Sequence, residues 1–175
     1  MRIALTAIFL LLTFILQMAL REVGFYVSLM NLSLCYLCVL LVHYKTEDVL
    51  WMALGAGIFM DIFSGTPDGV IAISLPVAVK LADYLGNTFF SERLHTFLIP
   101  SYAFTGTLGF IITGLLVLWV MSLLGWVYPP DTLYYLTWLL PISIAFNLLG
   151  LIPAYFLNNL ENIIQKRYIP KHESI

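Results

Sequence analysis

The chain has 175 residues, of which 61% are apolar and 10% charged, against about 25% charged in an ordinary soluble domain. That balance excludes a water-soluble globular fold, and at about 20 residues per membrane-crossing helix a polytopic bundle leaves little chain for a second domain. Eight Lys plus Arg against ten Asp plus Glu give a formal charge of −2 with no basic stripe, so no nucleic-acid partner is expected.

Long apolar runs predict six crossings, at 3–20, 23–42, 49–63, 70–85, 97–124 and 133–157. The expected fold is therefore all-α, a polytopic membrane helical bundle with the lipid bilayer as its surroundings. Residues 1–157 form a six-helix transmembrane domain and 158–175 a short basic cytoplasmic tail. The first run follows Arg2 but is longer than the apolar core of a signal peptide and lacks a small-residue cleavage site, so it reads as a retained helix. With both termini in the cytoplasm, Arg2, Lys45, Arg93, Lys166, Arg167 and Lys171 fall inside and Arg21 outside, as the positive-inside rule requires. The connector at 125–132 holds Trp126, Tyr128, Pro129 and Pro130, and with Trp119, Tyr134, Tyr135 and Trp138 beside it reads as an interfacial aromatic belt.

The crossings are uneven. The third, 49–63, would span about 22 Å at 1.5 Å per residue and is expected to borrow thickness from the turn that follows, sheltered by other helices. In the second, Cys35 and Cys38 form a CxxC without the further ligands of a zinc site, and read as small hydrophobes. Gln17, Asn31 and Asn147 are isolated amides in apolar runs, read as hydrogen-bonding glue between helices. His43, His95 and His172 map to solvated connectors or the tail, at spacings that suggest no metal. No cofactor is expected.

Three ionisable groups break the apolar rule inside crossings: Asp61, Lys80 and Asp83. Such groups usually face the protein interior or a water-filled cavity. Ala53, Gly57, Asp61 and Gly65 recur every four residues, a small-residue stripe on which another backbone can approach closely. With the chain reversing near Thr66, Asp61 stands level with about Ile71. Lys80 is then roughly 13 Å further along the helix, out of its reach. The expected arrangement pairs Lys80 with Asp83 at i, i+3, while Asp61 meets the backbone N–H and hydroxyl groups of the turn. Three readings of this set stay open: mutual satisfaction that fixes helix packing, a polar patch facing a partner, or a pathway for protons or a solute. Ser64, Gly65, Thr66, Pro67, Asp68 and Gly69 are turn chemistry, with Pro67 presetting φ and the glycines permitting positive φ. Ser101, Thr105, Gly109 and Thr113 again step by four, read as close packing. Leu160, Ile163, Ile164 and Tyr168 beside Lys166 and Arg167 suit either an interfacial helix or a continuation of the last crossing.

The segment from Gly57 to Gly69 resembles the G-x-x-x-D-x-x-S-G-x-x-x-G signature of MreD, the rod-shape-determining integral membrane protein family of bacteria. Gly57, Asp61, Ser64, Gly65 and Gly69 match it position by position; Asp68 and the Lys80, Asp83 pair depart from the commoner pattern. The resemblance implies a location in the bacterial cytoplasmic membrane, multi-pass, and a fold similar to the six-helix substrate-binding subunits of energy-coupling-factor transporters. It also implies a non-enzymatic scaffold of the cell-elongation machinery, acting in rod shape and peptidoglycan synthesis through MreC. RodA and its transpeptidase are implied as further partners, with MreB reached indirectly.

The residues themselves set three function classes side by side. A scaffold needs no nucleophile, metal or nucleotide motif, and the sequence has no Walker loop, H-E-x-x-H or G-x-S-x-G. The alternative is the substrate-binding subunit of a vitamin-type transporter, with Lys80 and Asp83 recognising a charged solute; the A-x-x-x-A docking motif of such subunits is missing, since Ala4 and Ala7 are three apart. An intramembrane enzyme would need Asp61 and Asp83 at one depth, and they lie on separate helices at different depths. The residues singled out for partner binding or structure are Gly57, Asp61, Ser64, Gly65, Pro67, Gly69, Lys80 and Asp83.

Overall fold

A computed structural model describes residues 2–21, 30–64, 67, 69–89 and 95–168. Among these the chain is all helical, with α1 (Arg2–Arg21), α2 (Leu32–Leu40), α3 (Thr46–Ser64), α4 (Val70–Phe89) and α5 (His95–Leu123) followed by a long last helix. That helix opens with one turn, α6 (Thr132–Tyr134), passes through a π-helical stretch (Tyr135–Leu139) and continues as α7 (Leu140–Tyr168). Three stretches among the described residues are long and apolar enough to cross a membrane: Val70–Thr88, Leu98–Leu123 and Thr132–Gln165. Large apolar side chains such as Ile8, Ile62, Leu116 and Ile152 point outward, as a lipid-facing surface requires.

The bundle is built round α2, which touches α1, α3, α4, α5 and α7. All nine residues of α2 are buried, and its sequence is apolar on every side, the pattern of a helix with no exposed face. This corrects the expected second crossing. The helix does not run from 23 but starts at Leu32, where Asn31 leaves helical geometry (φ −94°, ψ 85°) and its side chain accepts from the Leu34 N–H. A side-chain cap of this kind replaces the missing turn of backbone partners. Residues 22–29 lie outside the described set.

Other boundaries move for identifiable reasons. Helix α3 begins at Thr46, not 49, and its 19 residues span about 28 Å, although it is not among the stretches apolar enough to cross a membrane. The added turn carries Glu47 and Asp48, which favour a helix N-terminus. The last helix runs to Tyr168, so the boundary expected at 157 falls in mid-helix. Asn158 and Glu161 are buried there as part of the bundle, while residues 169–175 lie outside the described set. Helix α5 ends where expected. Gly125 takes φ +76°, and the Gly125 and Trp126 N–H groups donate to the carbonyls of Ser122 and Met121, a Schellman closure. Trp126, Tyr128 and Trp138 are exposed, and the Trp119 indole N–H donates to Thr132 at 2.9 Å, consistent with an aromatic belt.

Helices α4 and α5 pack through small residues. A side chain at Gly109 would meet the Ala78 Cα at 3.2 Å, and one at Gly86 would run into the Tyr102 ring. The expected stripe on α5 is therefore used within the bundle, where absent side chains let two backbones approach. Cys35 and Cys38 are free and buried; their thiols donate to the carbonyls of Asn147 and Tyr102.

Candidate functional site

Asp61 is the hinge of the α3–α4 hairpin. It is 6% exposed, and its carboxylate accepts from the Gly69 N–H at 3.1 Å, the Ile71 N–H at 2.9 Å and the Ala72 N–H at 2.8 Å. These are orphan donors of the first turn of α4, which no intrahelical carbonyl can reach. A carboxylate at this point also faces the positive end of the helix dipole. Asp61 thus caps α4 from the neighbouring helix. Its level opposite Ile71 is as the helical rise predicts, and the backbone half of its expected partners is observed.

Gly57, one turn before Asp61, explains why the carboxylate can come so close. A Cβ there would stand 2.7 Å from the Ala72 Cα and 2.9 Å from the Ile71 carbonyl oxygen, so a hydrogen is all the space admits. At the other side of the reversal Gly69 takes φ +92°, a conformation open to glycine, and the Val70 N–H donates to the Pro67 carbonyl. Gly57, Asp61, Pro67 and Gly69 are therefore brought together in one clamp. Ser64 closes α3 in the same hairpin. Its side chain, together with Gly65, Thr66 and Asp68, lies outside the described residues.

Lys80 and Asp83 do not join this clamp, and they do not pair with each other. Asp83 accepts from the Asn87 amide at 2.8 Å, and among the described residues no ion pair links it to Lys80. Lys80 is exposed, on the same outer face as Ile73, Val77, Leu81 and Tyr84. Asn87 sits one turn from Asp83 and needs no rotation of α4 to reach it, whereas the lysine faces out of the bundle. The expected i, i+3 pair is corrected accordingly.

Two polar clusters were not legible in the sequence as clusters. In the half of the bundle that contains the Asp61 clamp, the three isolated amides converge. The Asn31 N–H donates to Asn147 Oδ1 at 2.6 Å, the Asn147 amide donates to Thr107 at 2.9 Å, and Gln17 Oε1 accepts from the Ser33 N–H at 3.3 Å. They surround the start of α2 and one end of a cavity of about 340 Å³. The π-helical stretch just ahead of Pro141 supplies Tyr135 and Leu139 to its wall. Proline has no N–H to return to the preceding turn, and the local change of pitch aims those side chains inward. Lys80 and Asp83 do not line this cavity.

At the opposite end Glu161, 1% exposed, accepts from the hydroxyls of Thr6 (2.5 Å), Tyr36 and Tyr44 (3.3 Å) and from the Gln165 amide (2.7 Å). The sequence did carry one signal for it: Ala154, Asn158, Glu161 and Gln165 fall at helical spacing, a stripe that continues the buried face of α7. Among the described residues no group of three or more His, Cys, Asp or Glu could hold a metal ion. Comparison with protein-family models, curated proteins and solved structures returns no match for this chain.

Proposed function

We propose that this chain is a membrane scaffold of the MreD type, a non-enzymatic member of the bacterial cell-elongation machinery. In this reading six segments cross the cytoplasmic membrane with both termini inside, and a single-pass protein of the MreC type docks on α4. RodA, its transpeptidase and MreB would be reached through that partner. Support comes from Gly57, Asp61, Pro67 and Gly69, which clamp the start of α4 while its outer face is exposed.

The observation that carries the reading is Lys80. It is the eleventh of twenty residues in α4, about 15 Å from the helix start, and exposed among apolar neighbours. A cation at mid-helix facing hydrocarbon is costly, and Asp83, three residues on, accepts from Asn87 and among the described residues forms no ion pair with it. A partner helix presenting a carboxylate at that depth would remove the cost and specify register together.

The test is co-purification of the tagged full chain with an MreC-type protein from detergent-solubilised membranes. Lys80→Leu is expected to cut recovery of the partner at least tenfold while leaving the melting temperature of the scaffold unchanged. Full recovery with Lys80→Leu would overturn the docking face. The cavity favours a second reading, a vitamin-type transporter subunit with a fold similar to the energy-coupling-factor substrate-binding proteins. Tight retention of a vitamin-like solute through purification would select it.

A further inference from the structure

The cavity beside the start of α2 has the construction of a ligand site, and its chemistry selects one kind of ligand. Its volume, about 340 Å³, lies at the small end of small-molecule pockets and holds on the order of a dozen heavy atoms at about 30 Å³ each. Most of the wall is apolar, with Phe14, Phe110 and Leu118 among its residues, and among the described residues it includes no Asp, Glu, Lys, Arg or His.

The polar end is different. Asn31 is 7% exposed and Ser143 5%, and both line the cavity. Asn31 Oδ1 is committed to the Leu34 N–H, which fixes the amide and leaves Nδ2 as a donor without a partner among the described residues. Among the described residues the Ser143 hydroxyl has no partner either. Among the described residues no sealed side-chain nitrogen or oxygen is unpaired, so both groups open onto the cavity. Gln17 repeats the pattern: Oε1 is held by Ser33, and Nε2 is left as a donor. Two hydrogen-bonding groups on largely buried residues, joined by a third, thus share one end of one cavity beside a helix N-terminus.

We infer that this cavity binds a neutral, acyl-type molecule: an apolar body of about a dozen heavy atoms ending in a hydrogen-bond-accepting carbonyl. The two amide groups can only donate, which calls for an acceptor. None of the described lining residues is a cation that could offset the desolvation of a carboxylate, which calls for a neutral one. The inference is independent of the α4 docking face.

The test uses the purified full chain in detergent micelles and three probes of similar size: methyl decanoate, decanoate and dodecane. Binding is read from the shift of the melting temperature against probe concentration. Methyl decanoate is expected to stabilise saturably, and the other two at least tenfold more weakly. Ser143→Ala, which removes one hydrogen bond of about 1 kcal/mol, should weaken methyl decanoate about fivefold and leave the response to dodecane unchanged. Gly114→Leu places a side chain where a Cβ meets nothing closer than 3.5 Å, and should abolish the response by filling the cavity. If Gly114→Leu fails to fold, Ser143→Ala decides. Equal responses to methyl decanoate and dodecane, an unchanged response in Ser143→Ala, or tighter binding of decanoate would each overturn the inference.

Discussion

Asp61 and Glu161 are both carboxylates buried in an apolar bundle, and they are satisfied in opposite ways. Asp61 takes backbone N–H groups from residues 8, 10 and 11 positions further along the chain. Glu161 takes side-chain donors that are 155, 125 and 117 positions away, and one that is 4 away. The first is a local device that builds a hairpin; the second is a tertiary knot that ties α1, α2 and α7 together at one end. Backbone donors are fixed in direction by the helix that carries them, whereas hydroxyls and amides can rotate. The two acids should therefore differ in how much the protein loses when each is removed.

The largest effect is expected for Asp61→Ala, because three backbone N–H groups, fixed in direction by the start of α4, lose their acceptor. A loss of about 3 kcal/mol or more should be seen by reversible unfolding in mixed micelles, with Asp61→Asn intermediate since one acceptor oxygen survives. Next comes Gly57→Val. Its branched side chain would stand against the Ala72 backbone and pry α3 from α4, with an expected cost of about 1–3 kcal/mol from overpacking plus part of the Asp61 loss.

Glu161→Ala is expected to cost less than Asp61→Ala, about 2 kcal/mol, because the freed tyrosine and threonine hydroxyls can bond one another. Glu161→Gln should recover most of it. If Glu161→Ala proves more damaging than Asp61→Ala in the same assay, the contrast between fixed and rotatable donors fails. The smallest effect belongs to Gly69→Ala, where a Cβ meets no atom but φ is +92°; about 1 kcal/mol is expected from the left-handed backbone. A Gly69→Ala protein as damaged as Asp61→Ala would show that the turn, not the carboxylate, holds the hairpin.

The same contrast explains what could be read in advance. Asp61 opposite Ile71 was legible because both helices meet through one short turn, and helical rise converts sequence separation into depth. The start of α2 was not, since 23–42 reads as one apolar run and the break at Asn31 depends on Gln17 and Asn147 arriving from other helices. Lys80 was misplaced for a related reason. Spacing put it within reach of Asp83, but which way that face of α4 points is decided by α3 and α5 on its other sides.

Composition and period by themselves determined an all-helical, lipid-compatible chain, the clamp between α3 and α4, and the close-packing stripe of α5, because each rests on contacts between neighbours in sequence. The central burial of α2, the knot around Glu161, the outward lysine and the polar-ended cavity were decided by the tertiary structure alone. Each requires side chains from three or more helices to converge, and hydropathy, the same on every side of an apolar helix, contains no record of which face meets which.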